Sequence, residues 1–200
     1  MEFGKYNLDK KLVDVLKKHG YLNMTPVQSA ILPKALKGES LIVKAKTGSG
    51  KTHSYLIPIL NKLEKVNELQ ALILAPTREL ARQIYEFAKQ INDDYKQVDI
   101  LLLAGGLQTS RHKERLATKP ALLIATPGRL KALLINEDIT SFKSIHTVVL
   151  DEGDMLLDSG FYGVISETLT ALDNPIVQLF SATIPQKLAN LVTFKTGVKN

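Results

Sequence analysis

Two hundred residues, 44% of them apolar and 23% charged, suit one soluble domain with a sizeable core. No run reaches the roughly 20 apolar residues needed to cross a bilayer. The first six residues carry no apolar signal segment, and the absence of cysteine excludes disulfides and thiolate metal sites, so a cytoplasmic protein without a membrane partner is expected. The net charge of +6 allows a polyanionic partner but does not require one, because the lysines are spread along the chain among acids.

In chain order, Leu8, Leu12, Val15 and Leu16 recur at helical spacing. Thr25 is placed to cap a second helix that Pro26 opens. Residues 41–43 read as a strand, followed by a glycine-rich loop and a helix from Lys51 to about Leu63. Residues 71–74 are a second strand. A helix from Arg78 to about Ile91 follows, with Thr77 as its cap and Leu80, Ile84 and Phe87 on one face. Residues 100–103, 121–124, 148–150 and 177–180 complete the strands. Several of these runs are apolar at every position, which suits a parallel sheet covered by helices on both faces. The alternation predicts one α/β domain. Ligands of such sheets lie beyond the carboxyl ends of the strands. The polar clusters that follow the strands should therefore gather along one edge.

Two of those clusters carry recognisable chemistry. In Ala45-Lys46-Thr47-Gly48-Ser49-Gly50-Lys51-Thr52, small residues let backbone N–H groups face phosphate oxygens at a helix N-terminus. Lys51 can reach the β- and γ-phosphates, and the Thr52 hydroxyl can ligate magnesium. Asp151-Glu152-Gly153-Asp154 follows an apolar strand. Asp151 is placed to hold the same magnesium, through water, since that ion dehydrates reluctantly. Glu152 is placed to orient an attacking water, and Asp154 to bind a neighbouring loop. The four histidines, at 19, 53, 112 and 146, form no ligand-like spacing and read as structural or surface residues.

Over essentially the whole chain, these motifs and their order resemble the first RecA-like domain of the DEAD-box RNA helicases. Phe3 and the segment from Gly20 to Gln28 resemble the Q motif with its upstream aromatic. Pro76-Thr77-Arg78-Glu79-Leu80 resembles motif Ia, Gly105-Gly106 the Gly-Gly element and Thr126-Pro127-Gly128-Arg129 motif Ib. The acidic turn resembles motif II, and Ser181-Ala182-Thr183 motif III. The resemblance implies a RecA-like phosphate-loop fold and an ATP-dependent RNA helicase using ATP and magnesium. It implies that Gln28 reads the adenine edge, that Phe3 stacks on the ring, and that Tyr21 and Thr25 lie at the nucleotide with residues 45–52. Lys51, Asp151 and Glu152 are the implied catalytic groups. Pro76, Thr77, Arg78, Glu79, Gly105, Gly106, Thr126, Pro127, Gly128 and Arg129 would grip the RNA backbone. Asp154, Ser181 and Thr183 would couple nucleotide state to RNA binding.

The sequence departs from the family at Gly153, where motif II has alanine. Glycine there is expected to keep the carboxylate chemistry but loosen the loop. No motif of the family's C-terminal RecA-like domain follows Thr183, so residues 1–200 are expected to be a single N-terminal ATP-binding domain, with the Q-motif region in residues 1–28. Such a chain is expected to be monomeric, to bind nucleotide, and to hydrolyse ATP and unwind RNA poorly. A DNA-directed phosphate-loop motor and a non-catalytic nucleotide-binding module are the competing readings. The Gln28 segment and motif Ia weigh against the first. The full set Lys51, Thr52, Asp151 and Glu152 weighs against the second.

Overall fold

The six apolar runs hydrogen-bond into one sheet. A computed structural model of the protein describes residues 2–46, 48–105, 114–134 and 142–198. Thr47, Gly106 and His112, named above, lie outside the described residues. The strands are β1 (Leu41–Lys44), β2 (Ala71–Leu74), β3 (Ile100–Leu103), β4 (Leu122–Ala125), β5 (Thr147–Leu150) and β6 (Ile176–Ser181). They lie in the order β1-β6-β5-β2-β4-β3, and every pairing is parallel. This is the α/β arrangement expected from the sequence, with small changes at strand ends. The fourth strand starts one residue later than expected and the sixth is longer at both ends.

Before, between and after the strands run helices α1 (Lys10–Lys18), α2 (Pro26–Leu36), α3 (Lys51–Lys62), α4 (Arg78–Asp94), α5 (Pro127–Leu134), α6 (Gly153–Asp158), α7 (Tyr162–Ala171) and α8 (Gln186–Thr196). Leu8 lies outside α1, because the Asp9 side chain caps the helix by accepting from the Lys11 N–H at 2.8 Å. Thr25 and Gln28 form a reciprocal capping box at the start of α2.

Alternate side chains of each inner strand point to opposite faces. On one face Ile73, Ile124, Val149 and Phe180 pack with residues of α1 to α4, including Leu16, Leu32, Leu56 and Ile84. On the other, Leu72, Leu123, Val148 and Leu179 pack with Leu130, Leu156, Ile165 and Leu188 from α5 to α8. Burial on both faces removes the polar half of the usual strand alternation, so most strand positions are apolar, with buried Thr147, Gln178 and Ser181 as exceptions. Each fully buried leucine contributes about 1.5–3 kcal/mol relative to exposure.

The register brings the carboxyl ends of the strands level. Lys44 lies beside Ser181, Leu74 beside both Ala125 and Leu150, and Leu103 beside Ala125. The residues that follow each strand therefore line one edge. Phosphate loop, Ser181 segment and acidic turn occupy one half of it, and the segments after β2, β4 and β3 occupy the other.

Candidate active site

The phosphate loop leaves β1 at Ala45, whose N–H still donates to the Ser181 carbonyl at 2.9 Å. It then turns through Gly48 and Gly50, at φ 80° and 88°, a region open to glycine at little cost. Gly50 is required for a second reason. A Cβ there would lie 2.7 Å from Gln28 Nε2 and 3.0 Å from the Thr25 side chain. Those two residues brace the loop from outside. The Thr25 hydroxyl donates to the Ser49 carbonyl at 2.9 Å, and Gln28 Nε2 donates to the Gly50 carbonyl at 3.1 Å. Gln28 Oε1 accepts from the Thr25 N–H at 2.9 Å. The Q-type segment thus supports the phosphate loop directly, a role that its sequence did not reveal.

Lys51 opens α3 and is 4% exposed. Its ammonium lies 2.5 Å from Glu152 Oε1 and 3.7 Å from Asp151 Oδ1. These contacts are ionic and lack hydrogen-bond alignment, so Lys51 Nζ, like the buried Ser49 Oγ, has no hydrogen-bond partner among the described residues. A ligand with several anionic oxygens would give both atoms aligned hydrogen-bond acceptors, Lys51 in exchange for its ion pairs.

Asp151 continues the β5 ladder, with its N–H donating to the Leu74 carbonyl at 2.9 Å. Its carboxylate is fully buried. Oδ2 accepts from the Tyr55 hydroxyl at 2.8 Å, and Oδ1 from the Glu152 N–H at 2.9 Å. Burial pushes the Asp151 carboxyl above the usual range, against the opposing pull of Lys51 and Tyr55. Burial, followed by the Asp151 charge, raises the Tyr55 hydroxyl well above its ordinary value. Tyr55 was missed in the sequence. The available signal was its place four residues after Lys51, on the same face of α3. A buried carboxylate held by Tyr55, facing the start of the helix that carries the Thr52 hydroxyl, suits one hard cation held with phosphate oxygens.

Glu152 adopts φ 49° and ψ 58°, a left-handed conformation that costs a non-glycine residue energy. Gly153 then begins α6. The expected loosening at Gly153 is offset by packing. A Cβ on this buried glycine would lie 2.5 Å from Leu179 Cδ1, so Leu179 already fills the space an alanine methyl would take. Gly153→Ala is therefore expected to destabilise the protein by about 1–3 kcal/mol through overpacking. Adding Leu179→Val, which removes the clashing methyl, should recover part of the loss. Urea unfolding of the single and double variants measures this. Unchanged stability in Gly153→Ala would mean that Leu179 rotates away at no cost.

Asp154 ties the acidic turn to the end of β6. Its N–H donates to Ser181 Oγ at 2.9 Å, and its Oδ2 accepts from the Thr183 N–H at 3.1 Å and hydroxyl at 3.0 Å. Partial burial works to raise the Asp154 carboxyl, yet the bonds from Thr183, Met155 and Ser181 hold it below the usual range. The three residues expected to act together are thus joined.

On the other half of the edge, Thr77 caps α4 by accepting from the Leu80 N–H at 3.2 Å, while Arg78 and Glu79 are exposed. The Arg78 side chain lies against Gly105, where a Cβ would come within 3.3 Å of its Cδ and Nε. The Thr126 carbonyl accepts from the Arg129 and Leu130 N–H groups at 3.0 Å as α5 begins, and Gly128 faces the Phe161 ring. These segments share the edge with the phosphate loop.

Two aromatic assignments fare differently. Phe3 is 3% exposed within the apolar core, and in that position its ring has no open face for stacking. Tyr21 packs on His53, centroids 4.8 Å apart, and edge-on to Phe87 at 5.3 Å. It joins the Q-type segment to α3 and α4.

Among the described residues, no helix is long and apolar enough to cross a membrane. The DEAD/DEAH box helicase family model matches residues 25–191. The chain is 37% identical over 191 residues to the DEAD-box ATP-dependent RNA helicase CshB of Bacillus subtilis, covering 94% of this chain and 43% of that protein. It is 37% identical over 194 residues to the ATP-dependent RNA helicase DRS1 of Candida albicans, covering 95% and 32%. A DEAD box protein from Methanococcus jannaschii superposes with a TM-score of 0.86 at 28% identity, over 98% of this chain and 54% of the other. The chain thus spans less than half of these curated relatives and about half of the solved structure. A match that runs from the capping Thr25 past Thr183, and so takes in the phosphate loop, the acidic turn and the clasp between Asp154 and β6, shows that the chain belongs to the DEAD/DEAH box helicase family.

Proposed function

We propose that this chain is the ATP-binding half of an RNA-dependent ATPase that separates short RNA duplexes or remodels ribonucleoproteins. The observation that carries the reading is the Lys51 ammonium, buried between Asp151 and Glu152 at the end of a glycine loop braced by Gln28. Lys51 exchanges its carboxylate partners for the β- and γ-phosphate oxygens when ATP binds. That exchange frees Glu152 to orient the attacking water. Thr52 and Asp151 would hold magnesium, which would neutralise charge on the phosphates. Gln28 spends one N–H on Gly50 and one lone pair on Thr25. The remaining N–H and lone pair can match the N7 and N6 of adenine.

RNA is the proposed polymer because CshB and DRS1 are named RNA helicases. Exposed Arg78 and the segments at Gly105 and Thr126 to Arg129 offer charge and N–H groups rather than base-stacking rings, which favours grip on phosphates and sugars. A second RecA-like domain is the proposed working partner, in keeping with the greater length of the relatives. The reading includes a monomeric, cytoplasmic protein.

Adenine selectivity tests the nucleotide half. ATP and ADP should bind more tightly than GTP and GDP, and Gln28→Ala should remove most of the difference, worth about 1–3 kcal/mol for a paired amide contact. Titration of fluorescent nucleotides measures it, and equal affinity for adenine and guanine nucleotides in the unaltered chain would defeat the reading. On the RNA half, Arg78→Ala should weaken binding evenly across sequences and lower the salt slope by about one. A salt-independent preference for one base sequence would contradict backbone grip.

A further inference from the structure

The magnesium ligands proposed above come from different parts of the chain, Thr52 from α3 and Asp151 from the end of β5. Tyr55 is fully buried on α3, three residues after Thr52. Its hydroxyl donates to Asp151 Oδ2 at 2.8 Å. We infer that Tyr55 is a positioning residue that sets magnesium affinity, by fixing the Asp151 carboxylate relative to the helix that carries Thr52. This inference rests on the nucleotide reading above.

The chemistry follows from what each oxygen can do. A carboxylate that holds a cation, directly or through water, must present its free lone pairs at a fixed rotation. The phenol gives its proton to Asp151 Oδ2, which fixes the rotation of the carboxylate, while the Glu152 N–H takes Oδ1. Thr52 and Tyr55 are neighbours on one helix, but Asp151 is 96 residues from Tyr55 and sits on a different element. The phenol is therefore a fixed link between α3 and the end of β5. Partners that orient metal ligands in this way are typically worth about 10–100-fold in metal affinity. A phenylalanine would fill the same space and pack on Phe180 as Tyr55 does, with ring centroids 5.1 Å apart, but it would leave the carboxylate with one anchor fewer.

The test compares the unaltered chain with Tyr55→Phe, by titrating magnesium against fluorescent ADP and by measuring ADP affinity with the metal chelated. Thermal unfolding identifies a temperature at which both chains are folded. The magnesium concentration for half-maximal enhancement should rise about tenfold or more in Tyr55→Phe, with metal-free affinity changed less than about twofold. An unchanged magnesium dependence would overturn the inference. Equal losses with and without magnesium would also overturn it, because they would show a general distortion of the pocket. Failure of the unaltered chain to bind ADP at all would instead bring down the nucleotide reading, and this inference with it.

Discussion

Replacing Lys51 by alanine is expected to abolish measurable nucleotide binding and also to destabilise the nucleotide-free protein. The two effects have different causes. Binding fails because the loop loses its charged contact to the phosphates, leaving only N–H groups and Ser49. Stability falls because Lys51 sits within 2.5 Å of Glu152 Oε1 and 3.7 Å of Asp151 Oδ1, all at most 7% exposed. Removing one partner of such a group leaves buried charge without compensation, a loss of about 3–5 kcal/mol. Against a typical domain stability of about 5–15 kcal/mol, that is a large fraction. A second substitution separates the causes. Lys51→Met with Glu152→Gln removes one charge of each sign and should restore most of the stability but none of the binding. Urea unfolding and nucleotide titration on the same samples give both quantities. Full stability in Lys51→Ala would mean that the carboxylates find other partners or take up a proton at no cost.

Residues 1–200 by themselves are expected to hydrolyse ATP close to background with or without RNA, and a chain extended by a second RecA-like domain should show RNA-stimulated turnover. Phosphoryl transfer needs positive charge around the developing γ-phosphoryl group, and an arginine supplied to it is worth on the order of 10³–10⁵ in rate. The five arginines of the chain are at 78, 82, 111, 115 and 129, outside the segments that build the phosphate loop, the acidic turn and the clasp. Arg82 pairs with Glu86 along α4, Arg115 with Asp99, and Arg78 lies on Gly105. Arg78 thus lies on the half of the sheet edge proposed for RNA, Arg82 on the surface of α4, and Arg115 beside the residue that precedes β3. Lys51 and a bound magnesium would supply only part of that charge. A second domain closing over the nucleotide would supply the arginines and complete the RNA groove. In the extended chain, Glu152→Gln should abolish turnover while nucleotide binding survives, since Lys51 is then held less tightly. Phosphate release by the short and extended chains, each with and without RNA, measures this. Robust RNA-stimulated turnover by residues 1–200 would show that a charge already in this chain reaches the γ-phosphate.

Several features were legible because their cause is local. The strand–loop–helix passage through Gly48, Gly50 and Lys51 needs small residues and a lysine at fixed spacing, and that spacing survives in one dimension. The Thr25 cap is equally local, since donor and acceptor are three residues apart. Helices α5 to α8 leave no clear pattern in the sequence. The helix Gly153–Asp158 has only six residues, too short to show a period, and Tyr162–Ala171 contains Gly163, which weakens any helical signal. Gly153 was read as a loosening residue because a sequence shows only its missing side chain. Leu179, which fills the gap, lies on another element.

The sequence by itself determined the class of fold, the phosphate loop and the two carboxylates, because hydrophobic period and short-range spacing are properties of neighbours along the chain. Only the tertiary structure decided which groups meet. It set the strand order that places Ser181 beside Lys44, buried Phe3 in the core, brought the hydroxyl of Tyr55 onto Asp151, and turned Gln28 onto Gly50. The physical reason is common to all four. Strand pairing and side-chain burial are selected by total packing on both faces of the sheet, a sum over residues far apart in the chain that no single segment encodes.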